Sequence, residues 1–168
     1  MAAVIETIPA RTAGAPGPDP QRPVYASHVR TQDLPWIDWS EGNQIKICKL
    51  NPSTGQMVVF IRSEPGASVP VHFHPGTVVV YTVKGTWTYD EGWESPAGDV
   101  VYETAGSTHS PRMVSDEEVI VFAVIEGALV FKDAQGEVIG IENWQTLLQK
   151  YHAHCAAHGI EPVDVTKF

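Results

Sequence analysis

From residue 44 onward the chain alternates between short apolar runs and clusters of turn-forming residues. The runs are QIKICKL (44–50), QMVVFIRS (56–63), VVVYTVK (78–84), TWTY (86–89), DVVYE (99–103), EVIVFAVIEG (118–127), ALVFK (128–132) and EVIG (137–140). They are rich in Val, Ile, Tyr, Phe and Thr, whose branched or flat side chains suit a pleated surface, so each predicts a strand. NPSTG (51–55), EPGAS (64–68), SPAGD (95–99) and DAQGE (133–137) predict turns. Many short strands at this spacing argue for an all-β sandwich or barrel, and the strand–helix alternation of a Rossmann fold is not seen. Near the end the period changes. Trp144, Leu147, Leu148 and Tyr151 fall at i, i+3, i+4 and i+7, which predicts a helix over 142–158 with Gly159 as its stop.

The chain divides into three segments on this reading. Residues 1–22, rich in Ala, Pro and Gly, predict a flexible arm or one laid against a partner subunit. Residues 23–141 form the barrel, and 142–168 the helix and tail. Within DLPWIDW (33–39), two tryptophans and an isoleucine call for burial, so that stretch should dock on the barrel.

Composition narrows the partners. The 168 residues are 43% hydrophobic and 18% charged, which suits a globular domain with a substantial core. The net charge of −9 leaves no basic patch for a phosphate backbone or an anionic membrane, so neither nucleic acid nor membrane is an expected partner. No apolar run approaches the roughly 20 residues of a membrane span. The N-terminus lacks the basic, then apolar, pattern of a signal peptide, so a cytoplasmic location is expected. Cys48 and Cys155 make no disulfide framework.

The candidate chemistry lies in the histidines. His72 and His74 form His-x-His in a β region, where alternate residues share a face and stand roughly 7 Å apart along the backbone, a spacing that suits two ligands on one metal ion. Gly66 precedes His72 by six positions and Gly85 follows His74 by eleven; downstream come Gly98, Gly106 and His109. Here the sequence resembles the cupin superfamily, whose motifs read G-x5-H-x-H-x3-4-E-x6-G and G-x5-P-x-G-x2-H-x3-N. The likeness spans about residues 44–132 and implies a single cupin barrel (a double-stranded β-helix, or jelly roll) with a C-terminal helix. Val78 stands at the first motif's Glu, Thr104 at the second's Pro and Met113 at its Asn. A site of three histidines without a carboxylate is similar to the cupin dioxygenases that cleave carbon–carbon bonds beside a carbonyl. The text VHFHPGTVVVYTVKGTWTY, VVYETAGSTH and VFAVIEGALVFKDAQGEV looks most like the 2,4'-dihydroxyacetophenone dioxygenase family. Weaker likenesses are to acetylacetone dioxygenase and to the ChrR-type cupin domains of zinc-binding anti-sigma factors.

That resemblance implies His72, His74 and His109 as metal ligands and Fe(II) as the cofactor, with zinc or nickel as alternatives in purified protein. It implies O2 and a small aromatic ketone or diketone as partners, and a homodimer. It also places a carboxylate, Glu103, in the pocket, where it could hydrogen-bond a ligand histidine or take a substrate proton. Phe60, Val78, Tyr81 and Trp87 are the expected pocket walls. A metal-binding sensor domain without turnover, or a zinc-dependent hydrolase or isomerase, are the other readings. The second cluster, His152, His154, Cys155 and His158, reads as a polar helix end.

Overall fold

A computed structural model describes residues 27–89 and 92–167; the expected arm over 1–22 lies outside the described residues. The strands are β1 (Ile37–Ser40), β2 (Asn43–Leu50), β3 (Met57–Ser63), β4 (His72–Phe73), β5 (Val78–Lys84), β6 (Thr86–Thr88), β7 (Glu94–Pro96), β8 (Val100–Glu103), β9 (Thr108–His109), β10 (Arg112–Met113), β11 (Val119–Ile125), β12 (Ala128–Lys132) and β13 (Val138–Asn143). One α-helix, α1 (Trp144–His158), follows. A six-stranded sheet in the order β1-β2-β3-β11-β5-β8 faces a four-stranded sheet β13-β12-β4-β9, and β10-β6-β7 form a third. The strand pairs are antiparallel, as the all-β reading expects.

Alternation along the central strands builds the interior. β11 turns Val119, Val121, Ala123 and Ile125 inward, and β5 turns Val78, Val80 and Thr82 inward. Burying a side chain of valine size contributes about 1.5–3 kcal/mol, so these two strands carry much of the barrel's cohesion. β2 breaks the alternation with a bulge: Ile47 pairs with Val59 and Lys49 with Val58, leaving Cys48 as the extra residue. Ile47 and Cys48 are therefore both buried, and Leu50 returns to the inward face. Gly85 makes the turn between β5 and β6 at φ +74°, where a Cβ would also come within 2.9 Å of the Glu118 carbonyl.

The helix begins at Trp144 rather than 142, because Glu142 belongs to β13 and Asn143 is the cap. Asn143 accepts from the backbone N–H groups of Gln145 and Thr146. Glu142, 4% exposed, accepts from Trp39 Nε1 at 3.1 Å and from Thr146 Oγ1 and Lys150 Nζ, tying β1, β13 and α1 together. Gly159 ends the helix in the left-handed region at φ 65°. Leu147, Tyr151 and Cys155 form its buried face. The tail then folds back: Val163 N donates to Tyr151 Oη at 2.9 Å, and Leu50 N to the Val165 carbonyl at 2.9 Å. In the segment expected to dock, Ile37 is buried, as is Leu34, whereas Trp36 and Trp39 are only half-buried. No helix among the described residues is long and apolar enough to cross a membrane.

Candidate metal centre

Three strand ends bring the site together. His72 in β4 and His109 in β9 are direct cross-strand partners. His74 follows β4, where its backbone N–H donates to the Ser107 carbonyl at 3.0 Å and its own carbonyl accepts from Gly106 N at 2.8 Å. The rings of His72 and His74 lie 4.6 Å apart, His72 and His109 5.0 Å, and His74 and His109 4.9 Å. One ring nitrogen from each lies within 4.8 Å of the others, and among the described residues this is the one group of three such side chains placed to hold a metal.

His72 Nδ1 donates to the Pro70 carbonyl at 2.8 Å. A carbonyl can only accept, so that proton sits on Nδ1 and the Nε2 lone pair is left for a metal. Burial disfavours the imidazolium and lowers the His72 pKa to about 4, which keeps the ring neutral near pH 7.

Glu103, at the end of β8, is 7% exposed. Its Oε1 accepts from the Tyr89 hydroxyl, and the Tyr89 ring stacks on His109 at 4.3 Å. Its Oε2 lies 3.1 Å from His74 Nε2 and 3.3 Å from His109 Nε2. Burial pushes the carboxyl pKa up, but the nitrogens of His109 and His74 and the Tyr89 hydroxyl outweigh it and hold the pKa down at about 2. The group is therefore a carboxylate.

These polar atoms fit a cation. His74 Nε2, His109 Nε2 and Glu103 Oε2 are buried without an aligned hydrogen bond, although they converge on one another. Buried polar atoms left so are costly; a divalent ion held by the histidines would take up both ring nitrogens and bring its charge beside the Glu103 carboxylate. The nitrogen-rich donor set suits zinc, iron or nickel.

The site opens on an apolar cavity of about 60 Å³, whose walls include Val78, Val80, Trp87, Val121 and Leu129. Two expected wall residues lie elsewhere. Tyr81 is 43% exposed on the outer face of β5, because Val78 and Val80 take the inward positions. Phe60 packs against Phe122 at 5.2 Å, away from the residues lining the cavity. β3 and β11 pair with Phe60 opposite Phe122, while Val59 and Ala123 face inward. Tyr89 was not among the site residues expected from sequence. The alternation in TWTY put it on the face of Trp87, but nothing there signalled that its hydroxyl meets Glu103.

The C-terminal histidines do not converge with Cys155. His154 and His158 stack at 4.1 Å and His158 Nδ1 donates to the His154 carbonyl, whereas Cys155 is buried at 1% exposure beneath the helix.

Comparison with known proteins places this geometry in context. Residues 25–129 match the family model described as the ChrR cupin-like domain. An RmlC-like cupin protein from Ralstonia eutropha JMP134 is 36% identical, with a TM-score of 0.81 over 86% of this chain and 96% of its own. A protein of unknown function with a cupin-like fold from the same organism is 25% identical, with a TM-score of 0.73 over 84% and 94%. An acetylacetone dioxygenase from Acinetobacter johnsonii is 17% identical, with a TM-score of 0.70 over 83% and 99%, and so shares the fold. No curated protein matches the chain significantly.

Proposed function

The chain belongs to the family of ChrR cupin-like domains, and from that premise we propose that it is a non-haem iron dioxygenase cleaving the C–C bond beside a carbonyl in a small hydroxyketone or β-diketone. The observation that carries this reading is the donor set. Three histidines surround the site, Val78 stands where the cupin pattern has glutamate, and a carboxylate lies beside them at the wall of an apolar cavity. Iron(II) held by His72, His74 and His109 would keep its full positive charge, supplying an electrophilic centre for an enolate and electrons for O2.

The chain's own residues divide the remaining work. Val78, Val80, Val121 and Leu129 exclude water and leave the polar end of a substrate to face the histidines. Glu103 relays the acidic proton beside the carbonyl: the C–H or O–H bond breaks, its electron pair stays on the substrate as an enolate, and the proton, which a carboxyl of pKa about 2 does not retain, passes on to water. Tyr89 holds Oε1, so the oxygen free to receive that proton is Oε2. Overall, one C–C bond breaks and both atoms of O2 enter the products, as two acids from a hydroxyketone or as an acid and a dicarbonyl from a β-diketone.

Size selects within this class. A cavity of about 60 Å³ is well below the roughly 150 Å³ that accommodates benzene in an engineered apolar site. A short β-diketone, with about seven non-hydrogen atoms against benzene's six, also needs the cavity to widen, but by less than an aryl ketone does. The same tightness supports a second reading, a metal-sensing domain without turnover. Anaerobic purification, metal analysis and O2 uptake with acetylacetone and with 2,4'-dihydroxyacetophenone separate the two. Bound iron with one O2 consumed per diketone is the expected result; zinc with no uptake on either compound would overturn the enzyme reading in favour of the sensor.

A further inference from the structure

We propose that Ser107 is a positioning residue for the metal centre: its hydroxyl accepts the Nδ1–H of His74 and so leaves the Nε2 lone pair of that ring to the metal. This deepens the reading above and rests on its assignment of His74 as a ligand.

The first argument is register. His72 pairs with His109 and Phe73 with Thr108 across the β4–β9 ladder, so the next rung sets His74 against Ser107. Backbone bonds continue that rung: His74 N donates to the Ser107 carbonyl at 3.0 Å, and Gly106 N donates to the His74 carbonyl at 2.8 Å. Gly106 and Ser107 together thus oppose one residue, which is a β-bulge, and Gly106 opens it at φ +90°. Alternation then gives Ser107 the face of His109, two positions on, and turns Thr108 outward, where it is exposed. Opposed side chains on one face have Cβ atoms about 4.5–5.5 Å apart, a span that a serine hydroxyl and the near nitrogen of an imidazole can close.

The second argument is polar satisfaction. His74 is 2% exposed, and its Nδ1 is buried without a hydrogen-bond partner. Ser107 Oγ is buried in the same condition. Each answers the other. A neutral imidazole has one N–H to donate, a hydroxyl has two lone pairs, and rotation about the serine Cα–Cβ bond swings the oxygen among its staggered positions. Leaving both unpaired is the costlier arrangement.

The third argument is competition for a proton. His74 Nε2 lies 3.1 Å from Glu103 Oε2, so without a metal the carboxylate draws the single ring proton to Nε2. A metal needs that lone pair. On binding, the Nε2–H bond breaks and an Nδ1–H bond forms by exchange through solvent; the ring stays neutral and no net proton is released. Nδ1 holds the proton when an acceptor faces it. The Pro70 carbonyl is that acceptor for His72, at 2.8 Å, and the Ser107 hydroxyl is its counterpart for His74.

The test reads zinc binding to the full chain without substrate, so it is independent of turnover. Ser107→Ala should weaken binding ~10–100-fold, the usual loss for a residue acting through a ligand, whereas Ser107→Thr, which keeps the hydroxyl, should stay within ~3-fold of wild type. Proton–nitrogen NMR of protein with isotope-labelled histidines supplies a readout that a loss of packing would not move. In zinc-loaded wild type and Ser107→Thr it should place the His74 proton on Nδ1, exchanging with solvent at least ~10-fold more slowly than in Ser107→Ala. Unchanged affinity and exchange in Ser107→Ala would overturn the proposal, as would zinc bound through His74 Nδ1. A crystal structure of zinc-loaded wild type does not depend on how the variants fold. Ser107 Oγ within about 3.2 Å of His74 Nδ1 supports the proposal, and a separation beyond about 3.6 Å refutes it. Wild-type protein that binds no zinc would overturn the metal reading together with the proposal. Zinc binding as predicted, with iron-loaded protein consuming no O2, would uphold the role of Ser107 and overturn only the dioxygenase.

Discussion

Stripping the metal should make the barrel acid-sensitive, and the structure sets the size and direction of the effect. Burial lowers the His72 pKa from 6.5 to about 4. Between those values the unfolded chain binds a proton that the folded chain does not, so stability falls as pH drops through this window. A shift of roughly 2.5 units corresponds to about 3 kcal/mol, since each unit is worth 1.36 kcal/mol. Glu103 behaves with the same sign lower down. Burial alone would raise its pKa, but His109, His74 and Tyr89 bring it from 4.5 to about 2. Its stabilisation is present above 4.5 and is lost as pH falls through about 2, at a cost of about another 3 kcal/mol. A domain of this size has only about 5–15 kcal/mol in reserve, so the His72 window alone should be visible. The assay is urea unfolding of chelator-treated protein, followed by tryptophan fluorescence at several pH values between 7.5 and 4. The wild-type midpoint should fall steadily below pH 6.5, and His72→Gln should flatten that decline. A His72→Gln curve as steep as wild type between pH 6.5 and 4 would refute the reasoning.

Other outcomes follow from the same geometry. His109→Ala should lose most bound metal while circular dichroism shows an intact barrel, because the core of β5 and β11 does not depend on His109; full metal content would displace it from the ligand set. Replacing His152, His154 and His158 together by Gln should leave metal stoichiometry unchanged, and loss of one equivalent would relocate the site to the helix. Burial lifts the Cys48 thiol to about 11, so iodoacetamide at pH 8.5 should label it at least ~100-fold more slowly than a model thiol; rapid labelling of the native protein would contradict its placement in the core.

The convergence of His72, His74 and His109 was legible because its signal is local: a His-x-His pair and a third histidine set among glycines at fixed distance. The strands that carry them were not. β4 and β9 are two residues each, too short for any periodicity to show, and exist through pairing with each other and with β12. Tyr81 and Phe60 were misplaced for a different reason. VVVYTVK and MVVFIRS are apolar on both faces, so alternation gives no indication of which face is inside. β5 leaves Val79, Tyr81 and Val83 exposed on its outer side. The engagement of Glu103 by Tyr89 depends on how separate strands fold together, which a single strand's spacing does not contain. The late start of α1 was equally hidden, since Glu142 looks like a helix former until Trp39 and Lys150 are seen to hold it at the end of β13.

The pairing of Val78 with Glu103 also has a mechanical side. The two residues are distant along the polypeptide yet share one rung of the β5–β8 ladder, and both are buried. A change of side-chain volume at either one presses on the other, so the two positions should answer mutation as a unit rather than as two independent sites.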